Sequence, residues 1–129
     1  MVMLSSENHV LVVDDVEAIR SFMQIVLGRA GFRNVDCVCG GQEVMHKIDH
    51  QHYHLVLLDI NLPGSNGMSV LRRIREKSPH TQVVMCSSNT SQHIKLEAQR
   101  AGAIGFLEKP IIIKDFLTLL EHLRLGEVV

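Results

Sequence analysis

The sequence predicts an α/β fold, a doubly wound five-stranded parallel sheet with helices on both faces. Apolar runs of strand length alternate with segments of helical period along the whole 129-residue chain, which is typical of repeated βα units. The strand-like runs are mostly consecutive apolar residues rather than alternating ones, so both faces of these strands should be covered. A composition of 46% hydrophobic and 21% charged residues is that of a globular domain with a packed core.

The first βα unit begins with a strand at His9–Val13, whose last four residues are all aliphatic. A helix should follow, because apolar residues recur at i, i+3, i+4, i+7 and i+8 along one face. These residues are Ile19, Phe22, Met23, Val26 and Leu27. Gly31 is placed to end this helix.

The second and third units follow the same logic. Strands are predicted at Asn34–Cys39 and Tyr53–Leu58, and a helix at Gly41–Ile48 lies between them. A loop rich in proline and glycine then precedes a third helix, whose inward positions are Val70, Leu71 and Ile74.

The last two units complete the sheet. Strands are predicted at Gln82–Cys86 and Ile104–Leu107, each followed by a helix. The fourth helix carries Ile94, Ala98 and Ala101 and ends at Gly102, and the fifth carries Phe116, Leu119, Leu120 and Leu123. With no internal repeat or linker, residues 1–129 should form a single domain with an ordered core of about 8–125.

Charge and composition restrict the partners and the compartment. A formal net charge of −1 gives no field that would gather nucleic acid or a membrane surface. The sequence lacks a secretory leader and a run of membrane-spanning length, so we expect a cytoplasmic protein. Its three cysteines, Cys37, Cys39 and Cys86, lie in apolar runs and should be reduced, buried thiols.

Polar residues stand where the apolar runs stop. Asp14 and Asp15 follow the first strand, Asp59 the third, Ser87 the fourth and Lys109 the fifth. The carboxyl ends of parallel strands form the ligand-binding edge of such a sheet. Three converging carboxylates repel one another unless a cation joins them, and carboxylate oxygens without nearby His or Cys suit Mg²⁺.

These segments resemble the response-regulator receiver family over essentially the full chain. The motifs are VLVVDD (10–15), LVLLDINLPGSNGM (55–68), VVMCSS (83–88) and GAIGFLEKP (102–110), in the family's order and spacing. The resemblance implies a flavodoxin-like strand order of 2-1-3-4-5. It also implies a sensor histidine kinase or phosphotransfer protein as the phosphoryl donor.

By this resemblance, Asp59 is the phosphoacceptor of the domain. Asp15 and Asp59 would bind Mg²⁺ directly, Asp14 directly or through water, and Asn61 through its backbone carbonyl. Lys109 would pair with the acceptor carboxylate and later with the phosphoryl group.

The resemblance also implies a switch. The Ser87 hydroxyl would follow the phosphoryl oxygen and Phe106 would swing inward with it. Phe106 stands where the family often has Tyr, so it offers no ring hydroxyl to a partner. The Lys109–Pro110 bond would be cis.

An output surface is predicted on the fourth helix, fifth strand and fifth helix. Leu96, Phe106, Ile112 and Ile113 should lie near one another there, with Ile111 turned inward. Adjacent exposed apolar residues usually mark a contact surface, here for a homodimer or a downstream protein partner. One of the two isoleucines could equally be a cap on the core beneath the last helix.

Two other function classes fit parts of the pattern. A non-phosphorylated docking module would use the fold without the chemistry. A phosphohydrolase of the haloacid-dehalogenase type would need a second Asp two residues after the nucleophile, where this chain has Asn61.

The alternating histidines His50, His52 and His54 fit a solvated loop and strand edge better than a structural zinc site with four ligands. The output could belong to a stand-alone regulator or to a longer chain.

Overall fold

The structure, a computed structural model, describes residues 7–124. Five strands form its main sheet: β1 (His9–Val13), β2 (Asn34–Val38), β3 (Leu55–Asp59), β4 (Gln82–Ser87) and β5 (Gly105–Glu108). Five helices alternate with them: α1 (Glu17–Arg29), α2 (Gly41–His50), α3 (Gly67–Lys77), α4 (Gln92–Arg100) and α5 (Ile113–Arg124). The expected domain bounds of 1–129 and the core of about 8–125 reach into residues 1–6 and 125–129, which lie outside the described residues.

The sheet has the order β2-β1-β3-β4-β5, and every neighbouring pair is parallel. The predicted fold class and strand order are therefore confirmed. Because the chain leaves β1 toward one edge and later builds β3 on its other side, the strand order reverses between these two strands. Ligands in this fold bind outside the carboxyl ends at that point.

The core lies on both faces of the sheet, as the consecutive apolar runs predicted. Val10 and Val12 face a cluster with α1 and α5, whereas Leu11 and Val13 face a cluster with α2, α3 and α4. The predicted inward positions of α5 are all buried, and Phe116 is fully so. Within residues 7–124 no helix combines the length and apolar character needed to cross a bilayer.

Several element boundaries differ from the prediction by one or two residues. Strand β3 begins at Leu55 rather than Tyr53, and β3, β4 and β5 each end one residue later than their apolar runs. The ladder continues because Asp59 pairs with Cys86 and Ser87 with Glu108. The predicted loop after β3 contains a short antiparallel ladder, in which Asn61–Leu62 pairs with Ser65–Asn66.

The cysteines are not all core thiols. Cys86 is buried and Cys37 is half-buried, but Cys39 is exposed, so the prediction was wrong for Cys39. The reason is its position: β2 is an edge strand that ends at Val38, and Cys39 follows it. Its Sγ lies 3.0 Å from Glu43 Oε1, and this hydrogen bond raises the pKa of the thiol.

Candidate functional site

Three carboxylates meet at the carboxyl edge of the sheet, where the strand order reverses. Asp14 and Asp15 follow β1, and Asp59 is the last residue of β3. One oxygen from each side chain lies within 4.8 Å of the others. The structure therefore brings together the three acidic residues that the sequence singled out.

Asp14 is held rigidly in this cluster. It is buried, and its Oδ1 accepts a hydrogen bond from the Val16 N–H at 2.9 Å. The guanidinium of Arg20 in α1 donates to the Asp14 backbone carbonyl at 2.7 Å. Asp15, by contrast, is exposed, so it presents its carboxylate to solvent at the mouth of the site.

Lys109 joins two of the carboxylates from the loop after β5. Its Nζ lies 2.6 Å from Asp14 Oδ2 and 3.1 Å from Asp59 Oδ2. Burial alone would lower the pKa of Lys109, but the hydrogen bonds to both carboxylates outweigh it and raise the pKa above the ordinary value. The Lys109–Pro110 peptide bond is cis, as the resemblance implied.

Asp59 is held at both oxygens. Its Oδ1 accepts a hydrogen bond from the Asn61 N–H at 3.0 Å, while Oδ2 faces Lys109. Burial raises the pKa of Asp59 above its ordinary value, and the Lys109 ammonium and the Asn61 N–H offset this only in part. A buried carboxylate with a perturbed pKa and a fixed orientation is typical of a functional group rather than of a solvated strand end.

The start of α3 lies directly beneath Asp59. The Gly67 N–H donates to the Ile60 carbonyl at 2.8 Å. A Cβ atom at Gly67 would lie 2.5 Å from the Asp59 carbonyl oxygen. The sequence pattern predicts Gly67 in the loop before α3 and no role for Arg20. The sequence does contain a glycine eight residues after Asp59 and a cation one turn into α1, but neither residue type indicates its partner.

The donor set fits a hard dication. Within residues 7–124 the cluster offers carboxylate oxygens and no imidazole or thiolate, which suits Mg²⁺. Asn61 and Asp15 line the same cavity, of about 440 Å³. The residues present can therefore hold the ion that the sequence predicts.

Ser87 and Phe106 lie on neighbouring strands. Ser87 is buried at the end of β4, and its Oγ accepts a hydrogen bond from the Asn89 N–H at 3.0 Å. Phe106 in β5 pairs with Met85, two residues before Ser87, and packs half-buried against the cluster on the α4 side. Because side chains two apart point to the same face of a strand, Ser87 and Phe106 share that face.

The four predicted output residues differ in exposure. Ile112 and Ile113 are 58% and 50% exposed, and Leu96 is 38% exposed, whereas Phe106 is half-buried. Leu96 lines a surface pocket with Arg72, and Ile113 lines another with Leu117. Ile111 packs against the core as predicted. That the four residues form one surface stays a prediction.

Comparison with known proteins agrees with this geometry. The family model for the response regulator receiver domain matches residues 10–121. The chemotaxis protein CheY of Thermotoga maritima is 30% identical over 101 residues, which cover 78% of this chain and 84% of that protein. The structure of the chemotaxis response regulator CheY4 of Vibrio cholerae superposes with a TM-score of 0.83 at 28% identity, covering 91% of this chain and 98% of that one.

A longer relative is also similar. The sensory/regulatory protein RpfC of Xanthomonas campestris is 33% identical over 120 residues, which are 90% of this chain but 16% of that protein. The chain thus spans a small part of this relative, so likeness to it concerns one domain only. From the family model, the relatives and the fold together, this chain belongs to the response regulator receiver domain family.

Proposed function

We propose that the chain is a phosphoacceptor receiver domain that takes a phosphoryl group on Asp59 from the phosphohistidine of a sensor histidine kinase or phosphotransfer protein. The observation that carries this proposal is the fixed position of the Asp59 carboxylate. Lys109 and the Asn61 N–H hold its two oxygens, and two further carboxylates lie within 4.8 Å.

The transfer exchanges one bond to phosphorus for another. A carboxylate oxygen of Asp59 attacks the phosphorus atom, the P–N bond to the donor histidine breaks, and its electron pair returns to the imidazole, which then takes up a proton. After the transfer, the Lys109 ammonium, a compact positive charge, can exchange its contact with the Asp59 carboxylate for one with a phosphoryl oxygen. Asn61 keeps the attacking carboxylate aligned through its backbone N–H.

Receiver domains bind Mg²⁺ in an acidic pocket, and we assign the ligands here to Asp14, Asp15 and Asp59, with the backbone carbonyl of Asn61. When bound, the ion neutralises the negative charge that gathers on the phosphoryl oxygens. Asp15 is the exposed member, which leaves one side of the site open to a donor.

Ser87 and Phe106 are proposed to carry the signal. A phosphoryl group on Asp59 would draw the buried Ser87 hydroxyl, and Phe106 on the same sheet face would follow it inward. The Lys95 ammonium lies 5.7 Å from the centre of the Phe106 ring and pairs with Glu108 at 2.7 Å. Movement of Phe106 therefore changes a charged contact on the outer surface of α4 and β5.

We place the output on Leu96, Phe106, Ile112 and Ile113, facing a second copy of the chain or a downstream protein. Receiver domains are typically signalling modules without enzymatic activity, and nothing in this proposal requires turnover of a substrate. A single domain over residues 1–129, in the cytoplasm, remains part of the proposal.

Replacement of Asp59 by Asn should abolish phosphoryl uptake. With Mg²⁺ and acetyl phosphate, the intact mass of the parent should rise by one phosphoryl group, and hydroxylamine should remove it, because acyl phosphates are electrophilic. Asp49→Asn is the matched control, since Asp49 is an exposed carboxylate paired with Lys77, and it should load like the parent. A full load on Asp59→Asn would move the acceptor elsewhere, and an unloaded parent would favour the docking module.

Phosphorylation should alter association through the output residues. Sedimentation velocity with beryllofluoride and Mg²⁺, a mimic of the phosphoryl group, should show a larger species than the untreated protein. Ile112→Asp with Ile113→Asp should prevent this, whereas Ile25→Asp, an equally exposed position in α1, should not. Monomers in both states, together with an unchanged output from a linked kinase in the double variant, would exclude this surface from signalling.

A further inference from the structure

A second group of titratable side chains lies at the amino ends of the strands, on the side of the sheet opposite to Asp59. His9 begins β1 and Asn34 begins β2, and both line a cavity of about 440 Å³ with Asp36, His46 and His50. His46 and His50 both belong to α2 and are four residues apart. Nothing in the phosphoacceptor site uses these side chains.

His46 and His50 have the spacing and approach of a chelating pair. Residues at i and i+4 lie on one face of a helix, and the ring centroids of these two are 4.5 Å apart. Two imidazoles that bind one Zn²⁺ ion at about 2.1 Å and at a tetrahedral angle have ring centres about 5 Å apart, so a small side-chain movement would bring both rings onto one ion. Both side chains are exposed, so an ion can reach them from solvent.

A hydrogen bond fixes which nitrogen of His50 is available. His50 Nδ1 lies 2.8 Å from the His46 carbonyl oxygen, and since a carbonyl only accepts, Nδ1 must carry the proton. In neutral His50 the lone pair is then on Nε2. Metal-binding histidines are commonly oriented in this way, with the second ring nitrogen donating to a carbonyl.

The neighbouring histidines are less suited to binding. His54 Nδ1 accepts a hydrogen bond from the His9 N–H at 3.2 Å, so its lone pair is occupied and its other nitrogen carries the proton in the neutral form. The rings of His52 and His54 are 4.6 Å apart and edge-to-face, but this pair lacks two free lone pairs. The geometry therefore favours His46 and His50.

The ligand type, rather than the surrounding charge, favours a transition metal over Mg²⁺ at this pair. Both histidines lie near the carboxyl end of α2, the negative end of the helix dipole, and Asp36 adds a carboxylate to the cavity. Lys47 and Arg33 also line it, although Arg33 pairs with Glu7 at 3.3 Å. With mixed charge, affinity must come from the imidazoles, which suit Zn²⁺, Ni²⁺ and Cu²⁺ and not the hard cations.

We propose that His46 and His50 form a binding site for a transition-metal dication such as Zn²⁺, distinct from the acidic site at Asp59. Water or another side chain of the cavity would complete the coordination. A bound ion would cross-link His46 and His50 and so stabilise the last turn of α2, close to the edge strand β2.

The test is titration of the unphosphorylated protein with Zn²⁺ by calorimetry, in excess Mg²⁺ so that the acidic site is occupied. We expect one Zn²⁺ per chain. His46→Gln and His50→Gln should each weaken Zn²⁺ binding by about 10–100-fold. Loss of a residue that only hydrogen-bonds to a metal ligand already has an effect of this size. His93→Gln, which removes an exposed histidine of α4, should bind like the parent, and circular dichroism should confirm that all variants are folded.

Imidazole resonances supply a second readout. Zn²⁺ should shift the nitrogen signals of His46 and His50 in the parent, and Ni²⁺ should broaden them, whereas those of His93 should not change. Equal Zn²⁺ affinity in the parent and in the His46→Gln, His50→Gln double variant would overturn the proposal. So would shifts confined to other histidines. Because no phosphodonor is present, neither outcome bears on the role of Asp59.

Discussion

Lys109→Met should destabilise the protein by about 3 kcal/mol, because it leaves the buried Asp14 carboxylate without its cation. Only 2% of the Asp14 side chain and 16% of the Lys109 side chain are exposed, so water can replace little of the lost interaction. We expect a lower denaturant midpoint in urea without Mg²⁺, at an unchanged slope. The same variant should load poorly from acetyl phosphate, since Asp59 loses a partner as well.

Lys77→Met is the matched control for this prediction. The Lys77–Asp49 ion pair has a similar length of 2.9 Å, but its side chains are 52% and 45% exposed. Exposed pairs contribute little because water and salt screen both charges, so the midpoint should hardly move. Equal losses in the two variants would mean that burial of the Lys109 pair is not what makes it important.

Gly67→Ala should be the most damaging of the alanine substitutions at the glycines near the site. Its Cβ would lie 2.5 Å from both the Asp59 carbonyl oxygen and Ile60 Cα, and these backbone atoms cannot rotate away as the end of a side chain can. Overpacking of this kind costs about 1–3 kcal/mol. Because the displaced backbone carries Asp59, phosphoryl uptake should slow as well.

Gly28→Ala gives the opposite expectation with the same chemical change. Nothing lies within 4 Å of a Cβ at Gly28 in α1, and alanine loses less conformational freedom than glycine when a helix forms. Thermal unfolding should show a gain of about 0.5 kcal/mol in the free energy of unfolding. If Gly67→Ala were as stable as the parent, the start of α3 would have to be free to move away from Asp59.

The sequence predicted the fold closely because burial on both faces leaves a strong signal. The runs at residues 10–13 and 55–58 have no polar interruption, and such runs are typical of strands covered on both faces, as in a parallel sheet. The buried faces of the helices were predicted equally well, since every predicted inward residue of α1 and α5 packs toward the core.

Boundaries and edge positions were harder because they depend on neighbours. Tyr53 was placed in a strand, yet its hydroxyl donates to Asp36 at 2.5 Å and its carbonyl accepts from Thr81 at 2.6 Å, contacts made before the ladder of β3 begins. The exposure of Cys39 likewise follows from the edge position of β2, which hydrophobicity does not encode.

For the site, residue types were predictable and distances were not. That Asp14, Asp15, Asp59 and Lys109 meet followed from their places at strand ends. That Lys109 approaches Asp14 more closely than Asp59 depends on how the loop after β5 crosses the edge of the sheet. The i, i+4 spacing of His46 and His50 is visible in the sequence, but the spacing alone does not show that their rings lie 4.5 Å apart.

Lys109 and Asp14 are 95 residues apart in the sequence. This separation determines when the site can form during synthesis. Asp14 and Asp59 leave the ribosome long before Lys109, so a growing chain has its acidic residues without their internal cation. Closing so long a loop is entropically slow and depends on the intervening strands being paired. Competence to accept a phosphoryl group should therefore arise only after β5 has been synthesised and has docked at the far edge of the sheet.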